Sequence, residues 1–279
     1  MPFIAKANYP GQYDDKGIPM LDYRGAVGLQ YNPIAIAQYG LGNYNLYRRT
    51  GEETRKSKFL NVADWLVENL EETSYGTRVW YHHFDWEYRD KLKAPWYSGL
   101  AQGQGLSLLV RAHQESGNGC YLEAGREVFD TFKKDLKQGG VTCTDNKEYI
   151  WFEEAIVDRP THILNGFIWA IWGVYDYFLH TKDQVASRLF EEAVKTLSDN
   201  LSEFDVGFWS LYEQSGTRMK MLASPFYHSL HIIQMGVMHR LTGEPVFRHF
   251  ADKWDTYRRS SIKRNAAFIY KAIFKLLYY

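Results

Sequence analysis

Residues 223–232 of the chain, "ASPFYHSLHI", place a phenol and two imidazoles at the predicted start of a helix. Serine followed by proline is a typical helix opening, so Tyr227, His228 and His231 fall in the first two turns. A further phenol, Tyr212, lies in the loop before this helix. Phenols can transfer protons, and imidazoles spaced i and i+3 share a helix face. No third ligand of a recognisable metal motif accompanies them, so we predict no metal site.

Two other clusters of polar residues fit catalytic motifs less well. Glu153 and Glu154 are adjacent, and no carboxylate partner stands at the separation that a glycosidase needs. His82 and His83 precede Asp85 in "YHHFDWEY", but adjacent histidines point in different directions, which argues against a metal site. We expect this segment to be a solvated aromatic loop.

The glycine-rich string "GLAQGQG" at residues 99–105 follows no predicted strand, which argues against a phosphate-binding loop. We expect its small residues to permit close helix packing at the centre of the fold. Gln102 or Gln104 would then face a bound sugar.

The composition is that of a globular protein with an unusual aromatic content. Of the 279 residues, 45% are apolar and 24% are charged, and the formal net charge is zero. This balance gives no reason to expect a nucleic-acid partner. The 21 tyrosines and 9 tryptophans are many for this length. Their flat faces and polar tips suit sugar rings as well as protein cores.

Targeting signals are not evident in the sequence. The first 20 residues lack the apolar core of a signal peptide, and no run of about 18 apolar residues predicts a membrane-spanning helix. The two cysteines have neither metal-ligand nor disulfide-framework spacing. We therefore expect a cytoplasmic protein.

Helix-length apolar periodicity recurs along the chain in pairs of segments. The more apolar first members begin near Pro33, Trp96, Thr161 and Pro225, at separations of 63, 65 and 64 residues. Each is followed by a segment with a charged face, such as "VASRLFEEAVKTL". Nearly all-apolar helices lie inside a fold, and helices with a charged stripe lie outside. The pattern predicts an all-α fold, an α/α toroid (barrel) of about four helical hairpins.

Long inserts precede three of the predicted inner helices, at residues 74–95, 136–160 and 201–224. Inserts at the same end of successive inner helices gather on one rim of a toroid. We expect loops or short β-hairpins on this rim to carry the function. Tyr31 immediately precedes the first inner helix and is expected on the same rim.

Several segments, in order between about residues 28 and 257, resemble the C-terminal catalytic domain of D-glucuronyl C5-epimerases. They are "YNPIAIAQYGLGNY", "APWYSGLAQGQGLSLLVRAH", "WFEEAIVDRPTHILNGFIWAIWGVYDYF" and "FYHSLHI", the last followed by "TGEPVFRHFADKW". Enzymes of this family convert glucuronate to iduronate in heparan-type polysaccharides, and their catalytic domain is an α/α barrel. The short join "LYRRTGEETRKSKF" stands where animal members carry a β-rich portion, so the chain resembles a compact bacterial form.

The resemblance implies three catalytic residues. Tyr212 in "FWSLYEQS" and Tyr227 in "FYHSLHI" match two catalytic tyrosines of the family. Glu154 in "FEEAIV" matches the family glutamate. Two positions depart from the family pattern, because Ser215 stands where the family has an arginine and Ala155 where it has a third tyrosine.

The resemblance and the predicted rim together supply the candidate substrate-binding residues. Asn165 matches a substrate-contacting asparagine, and Trp169 stands at a tyrosine of the animal enzymes. Arg159, Arg218 or Lys220 is expected to supply the cation that is missing at position 215. The full candidate set is Tyr31, Asp85, Glu87, Tyr97, Gln104, Arg159, Asn165, Trp169, Arg218 and His228.

Inversion at C5 of a uronate removes a proton beside a carboxylate and returns a proton to the opposite face. A base and an acid on the two faces perform this without moving, provided that the carboxylate charge is offset. We expect Tyr212 and Tyr227 to flank the sugar, and a protonated Glu154 to meet its carboxylate. The sequence thus predicts a cofactor-free isomerase, which converts D-glucuronate to L-iduronate residues in a heparosan- or heparan-like polysaccharide.

Two alternative functions stay open. A polysaccharide lyase shares the removal of the C5 proton but then expels the substituent at C4. A catalytically silent glycan-binding or assembly protein would account for Ala155 and Ser215. In each case the expected partner is an anionic, uronate-containing polysaccharide, and a homodimer is a further option because animal relatives act as dimers.

We predict a single catalytic domain over residues 1–257, with an N-terminal extension at 1–27, and a basic amphipathic helix at 258–279. The last segment contains six basic residues and no acid: Arg258, Arg259, Lys263, Arg264, Lys271 and Lys275. Such a helix lies on an anionic membrane surface or follows an anionic polymer, or else it packs on the domain or in a dimer interface. Membrane contact would place the protein at the inner membrane face.

Overall fold

The computed structural model describes residues 4–87 and 91–278 of the chain. In this part of the chain, four helical hairpins follow one another between a short first helix, α1 (Ile4–Ala7), and a last helix, α10 (Ser261–Tyr278). The hairpins are α2 (Pro33–Thr50) with α3 (Glu53–Glu68), α4 (Gly99–Ser116) with α5 (Gly119–Asp130), α6 (Leu164–Thr181) with α7 (Gln184–Asn200), and α8 (Pro225–Thr242) with α9 (Pro245–Arg259). The predicted all-α class and α/α toroid of four hairpins are confirmed.

The first member of each hairpin is an inner helix. α2 packs on α4, α4 on α6 and α6 on α8. Among the described residues, α8 and α2 pack on each other less than these three pairs do. The outer helices α7 and α9 combine a strong apolar face with a charged face, which matches the predicted pattern.

The closest approach within the arc of inner helices joins α4 and α6 through two glycines. A Cβ atom on Gly173 would lie 2.3 Å from the carbonyl oxygen of Gly103, and one on Gly103 would lie 2.6 Å from the Cα atom of Ala170. Only glycine, which has no Cβ atom, permits this backbone contact. The predicted role of the small residues in "GLAQGQG" is confirmed for Gly103.

Short antiparallel strands occupy the segments that precede the inner helices. They are β1 (Gln12–Tyr13), β2 (Pro19–Asp22) and β3 (Leu29–Gln30) before α2, β4 (Glu71–Glu72) and β5 (Arg78–Val79) before α4, and β6 (Thr142–Thr144) and β7 (Ile150–Phe152) before α6. Short 3₁₀ helices add to these inserts at Thr131–Lys133, Leu136–Gln138 and Leu201–Phe204. These inserts form a rim at the N-terminal ends of the inner helices.

Two inner helices begin three residues later than predicted. α4 begins at Gly99 because Trp96 pairs with His82 in a bridge and the Ser98 hydroxyl accepts a hydrogen bond from the Leu100 amide at 3.2 Å. α6 begins at Leu164 because His162 has a φ of 49°, outside the helical region. The starts at Pro33 and Pro225 agree with the prediction.

Of the basic helix predicted at 258–279, residues 261–278 form α10, which packs partly on the rim, whereas Arg258 and Arg259 end α9 before a break at Ser260. Ala267 and Phe274 are buried against the domain, whereas Ile262 is 83% exposed. The Lys271 ammonium donates to the carbonyl of Leu222 at 2.7 Å. Tyr279, the last residue of the predicted helix, lies outside the described residues. None of the helices in the described ranges is long and apolar enough to span a bilayer.

Candidate active site

The first turn of α8 presents Tyr227 at the rim. The Ser224 hydroxyl accepts a hydrogen bond from the Tyr227 amide at 3.2 Å, and Pro225 occupies the first helical position. Both features fix where this helix begins. They therefore also fix where the backbone presents the Tyr227 side chain.

Tyr212 lies beside Tyr227, on the loop that leads into α8. Its amide donates to the carbonyl of Met221 at 2.8 Å, and its carbonyl accepts from the amide of Leu164 at 3.0 Å. The two phenol rings are 4.9 Å apart between centroids and inclined by 58°. A hydrogen bond joins the two side chains. Both oxygens thus belong to one site.

Glu154 completes this cluster from the segment between β7 and α6. Its side chain is partly accessible from the rim, and its Oε2 atom accepts a hydrogen bond from Asn165 Nδ2 at 3.3 Å. A Cβ atom on Gly166 would lie 2.1 Å from the same oxygen, so the absence of a side chain there makes room for the carboxyl group. Burial raises the pKa of Glu154 to about 8, and the charge of Glu153 adds to the rise.

Burial also raises the pKa of Tyr227, and the neighbouring Glu154 raises it further. The hydrogen bond with Tyr212 acts in the opposite direction and lowers it. Tyr227 and Glu154 are therefore both in their protonated forms at neutral pH. Such a pair can donate two hydrogen bonds or deliver one proton to a bound anion.

Unsatisfied polar atoms extend the cluster towards the centre of the arc. Gln234 Nε2 donates to the backbone carbonyl of Asn165 at 3.1 Å. Among the described residues, the buried atoms Asn165 Oδ1 and Gln234 Oε1 have no hydrogen-bond partner. Buried acceptors without partners are costly, and a sugar hydroxyl could satisfy them.

Two predicted substrate-binding residues face the centre of the arc. Trp169 lies one helical turn beyond Asn165 on the same face of α6, and it lines a cavity of about 230 Å³ with Arg111 and Asp176. Gln104 is buried on α4, where Gln38 Nε2 donates to its Oε1 atom at 3.3 Å. Both side chains lie deeper in the molecule than the two tyrosines.

The assignment of His228 to substrate binding is corrected by the structure. His228 is fully buried and stacks on Trp209 at 3.7 Å between ring centroids. One ring nitrogen lies 2.8 Å from the Ser210 hydroxyl, and the other lies 3.1 Å from the carbonyl of Trp254. Burial lowers the pKa of His228 to about 4. It is a neutral core histidine with both nitrogens occupied, and it fixes the 205–224 loop to α9.

Three predicted residues line other parts of the rim. Asp85 and Glu87 border an open groove of about 750 Å³ beside Trp86. Asp85 is paired with Lys93 at 2.7 Å, and this contact holds its pKa near 2. Tyr97 donates to the carbonyl of Gly140 at 3.3 Å.

Tyr31 and the candidate cations are also placed by the structure. The Tyr31 hydroxyl donates to Asp14 at 2.7 Å, so its polar tip faces the N-terminal strands. Arg159, Arg218 and Lys220 are exposed on the loops before α6 and α8. Each loop flanks the cluster of Tyr212, Tyr227 and Glu154.

The two positions that depart from the family pattern have local partners. Ser215, where the family has arginine, forms side-chain hydrogen bonds with Thr217 at 3.2 Å and with Glu213. Ala155, where the family has tyrosine, is buried in a small apolar cluster with Leu92 that also contacts Tyr212. The cluster thus supports the ring of Tyr212.

Sequence reasoning missed a buried hydrogen bond between Glu153 and His162 that shapes the segment before α6. Glu153 is fully buried, and its Oε1 atom lies 2.6 Å from His162 Nδ1. Its Oε2 atom accepts from the amides of Thr161 and His162 at 3.3 and 3.2 Å. These contacts hold the left-handed turn at His162 and so orient the adjacent Glu154. Nothing in the local sequence predicts that Glu153 and His162 pair.

Glu213 is a second residue that sequence reasoning missed. It is 2% exposed, and among the described residues its Oε2 atom has no hydrogen-bond partner. Burial raises its pKa to about 7. It lines a cavity of about 160 Å³ with Lys220, directly after Tyr212 in the chain. Within residues 4–87 and 91–278, no three His, Cys, Asp or Glu side chains cluster as a metal site would require.

Comparison with known proteins identifies the family of the chain. The family described as D-glucuronyl C5-epimerase C-terminus matches residues 71–256. The chain belongs to this family. Glu154, Asn165, Tyr212 and Tyr227 all fall within the matched range. The family predicted from the sequence is confirmed.

Two relatives show how much of the chain is matched by other proteins. The chain is 28% identical over 198 residues to an uncharacterized protein of Methanocaldococcus jannaschii, covering 70% of the chain and 63% of that protein. It is 27% identical over 223 residues to the D-glucuronyl C5-epimerase of Caenorhabditis elegans, covering 74% of the chain and 35% of that protein. The chain therefore spans less than two thirds of each of these relatives.

A solved structure supports the fold of this family member. The crystal structure of a D-mannose isomerase superposes with a TM-score of 0.61 over 90% of the chain and 66% of the isomerase, at 9% sequence identity. Identity at this level shows a shared fold alone.

Proposed function

We propose that the chain is a carbohydrate epimerase that inverts C5 of D-glucuronate residues in a heparosan-like polysaccharide to give L-iduronate. The observation that carries the proposal is the packing of two phenol rings on each other at the rim, near a carboxyl group of raised pKa. Membership of the D-glucuronyl C5-epimerase family supports the same reaction.

The first requirement of the reaction is to offset the charge of the substrate carboxylate. An ionised Glu154 would repel that carboxylate. Because its pKa is about 8, Glu154 carries a proton at neutral pH and can donate a hydrogen bond to the substrate. The electron pair released from the C5–H bond then moves into a carboxylate whose charge is already partly balanced.

The second requirement is a base and an acid on opposite faces of C5. Tyr227 holds its proton because its pKa is raised, so it serves as the acid. Tyr212 is assigned as the base, which must give up its own proton before it takes the C5 proton from the other face, and Tyr227 then donates its proton to the planar intermediate. The products of one turnover are a Tyr212 phenol, a Tyr227 phenolate and the inverted sugar, so the protons balance.

The hydrogen bond between the two phenols restores the starting state. A pyranose between the tyrosines must displace this contact, since their ring centroids are only 4.9 Å apart in the ligand-free form. When the product leaves, the hydroxyls meet again and a proton returns from Tyr212 to Tyr227. The backbone of Tyr212 is fixed by Met221 and Leu164, so its side chain accounts for the opening.

The pH profile should report the protonation of Glu154. Deprotonation above its pKa of about 8 adds a negative charge beside the substrate carboxylate, so we expect kcat/KM to fall as pH rises through about 8. Glu154→Gln stays neutral and keeps a donor, so its profile should lack this fall. The measurement is the initial rate of epimerisation of heparosan from about pH 6 to about pH 10. This range is wide enough to define one titration. A fall at the same pH in both proteins would exclude Glu154 as the titrating group.

Proton exchange with solvent tests the reaction class. We expect incubation with heparosan in D₂O to place deuterium at C5 without shortening the polymer, as detected by NMR. Chain cleavage with the ultraviolet absorbance of an unsaturated uronate would instead identify a lyase. Binding of heparosan without any exchange would identify a catalytically silent glycan-binding protein.

A further inference from the structure

The outward side of α10 carries an exposed apolar stripe. Ile262, Ile269, Ile273 and Leu276 are 83%, 58%, 47% and 86% exposed, and helix geometry places them within about 60° of one another. Ala267 and Phe274 are buried on the domain side of the same helix. Exposed apolar residues in such a row mark an interaction surface.

A groove runs along the adjacent side of α10. Its volume is about 670 Å³, and apolar side chains including Trp209, Met221 and Phe268 form most of its wall. Three basic residues, Arg264, Lys271 and Lys275, also line it. Phe268 is 72% exposed and connects the groove with the outward side of the helix.

The positive charge of this helix is not balanced by the protein. α10 contains four basic residues and no acid, and within the described ranges no carboxylate lies within 4.0 Å of Lys263, Arg264, Lys271 or Lys275. The Lys271 ammonium sits in the groove wall and donates to the backbone carbonyl of Leu222. The surface therefore joins an apolar face to cations that lack a counter-charge.

We propose that α10 docks the protein on an anionic lipid bilayer, with the outward stripe in the acyl boundary and Arg264 and Lys275 at the headgroup phosphates. A helix with one apolar face and basic residues beside it binds membranes in this way. Arg264 and Lys275 lie within about 40° of the exposed Phe268 but about 100–180° from the four residues of the stripe, so they border the apolar surface on its Phe268 side only. Their long stems can follow that surface while the charged ends reach the phosphates.

Two other occupants fit the charge or the stripe less well. A symmetric dimer through the stripe would cover its apolar residues but leave the basic residues on the groove side of α10 without a counter-charge. An anionic polysaccharide would pair with the cations but leave Ile262, Ile269 and Leu276 in water. An anionic bilayer covers the stripe and balances the charge together.

The docking surface is connected to the loop between the two tyrosines. The Tyr270 hydroxyl accepts from the amide of Lys220 at 3.1 Å, and the Tyr278 hydroxyl accepts from the amide of Met219 at 3.2 Å. With the bond from Lys271 to Leu222, α10 holds this loop at three points within residues 219–222. Docking would therefore hold the candidate active site close to the bilayer.

Vesicle flotation tests the proposal independently of any epimerase activity. We expect the protein to float with phosphatidylcholine vesicles containing phosphatidylglycerol and not with phosphatidylcholine alone. The double variant Arg264→Gln, Lys275→Gln should bind about 25-fold more weakly, since each basic residue contributes about fivefold at an anionic surface. Ile269→Glu with Ile273→Glu should abolish flotation.

A matched control uses an exposed apolar residue elsewhere. Ile233 on α8 is 45% exposed, and Ile233→Glu should float as the unchanged protein does. All these side chains are exposed, so thermal unfolding should show that each variant is folded. Failure to float, equal flotation on neutral vesicles, or a dimer that Ile269→Glu dissociates without any vesicle binding would each overturn the proposal. Binding of heparosan that depends on the basic residues of α10 but not on its apolar stripe would also overturn the proposal.

Discussion

Replacing Tyr227 by phenylalanine is expected to lower the rate of epimerisation about 10³-fold while the protein stays folded. General acid–base groups contribute roughly 10²–10⁴ to the rates of enzymes. The substitution removes one hydroxyl, with its hydrogen bond to Tyr212, and leaves the ring in place beside the Tyr212 ring. Tyr212→Phe should lose activity to a similar extent, because the two phenols act in one proton transfer sequence. The measurement is kcat on heparosan, with thermal unfolding to confirm the fold.

Tyr177→Phe provides the control for these variants. Tyr177 also lies on an inner helix, and its buried ring stacks on Phe129 of the outer helix α5 at 4.5 Å between centroids. Its activity should remain close to that of the unchanged protein. Full activity in either Tyr212→Phe or Tyr227→Phe would show that the altered residue is neither the acid nor the base.

Gly173→Ala is expected to lower the free energy of unfolding by about 3 kcal/mol, at the upper end for added core volume. Its new methyl group would lie 2.3 Å from the carbonyl oxygen of Gly103, a backbone atom that cannot rotate away. α4 and α6 would have to separate, and this helix pair forms the most extensive contact of the arc. We expect a fall in Tm of roughly 5–10 °C by calorimetry.

Gly236→Ala is the matched control for this substitution. Gly236 lies inside α8, and no other atom lies within 4 Å of where its Cβ would stand. Alanine there should leave stability unchanged or raise it by about 0.5–1 kcal/mol, because it favours the helix over the unfolded chain. Equal losses at Gly173 and Gly236 would contradict close helix packing as the cause.

The arrangement of the helices could be predicted because it follows from periodic burial. The inner helices begin 66, 65 and 61 residues apart, close to the predicted spacing. The boundaries near Trp96 and Thr161 were three residues early, since they depend on single contacts. The Ser98 cap and the turn at His162 are such contacts, and apolar periodicity contains no information on them.

The candidate site could be predicted only where the family motif supplied it. Tyr212, Tyr227 and Glu154 come together at the rim as that motif implied. His228 is adjacent to Tyr227 in sequence, but neighbouring helical residues point about 100° apart, so it faces the core. The buried pair of Glu153 and His162 depends on the path of the loop, which no local pattern encodes.

The exposed stripe of α10 shows a different limit of sequence reasoning. The spacing of Ile262, Ile269 and Ile273 predicts an amphipathic helix equally well whether its apolar side faces the domain or the outside. In the structure that row lies outward, and Ala267 and Phe274 face the domain instead. Only the packing of α10 on the rim distinguishes the two arrangements.

The proton source in a single turnover tests the central claim, that Tyr212 and Tyr227 act on opposite faces of one carbon. Enzyme equilibrated in D₂O, in excess over heparosan, carries deuterium on Tyr227 before the reaction starts. Iduronate formed in the first turnover should contain deuterium at C5, while unreacted glucuronate should still contain hydrogen, as read by NMR. Iduronate that retains the original hydrogen would show that one group serves both faces, and would contradict the account.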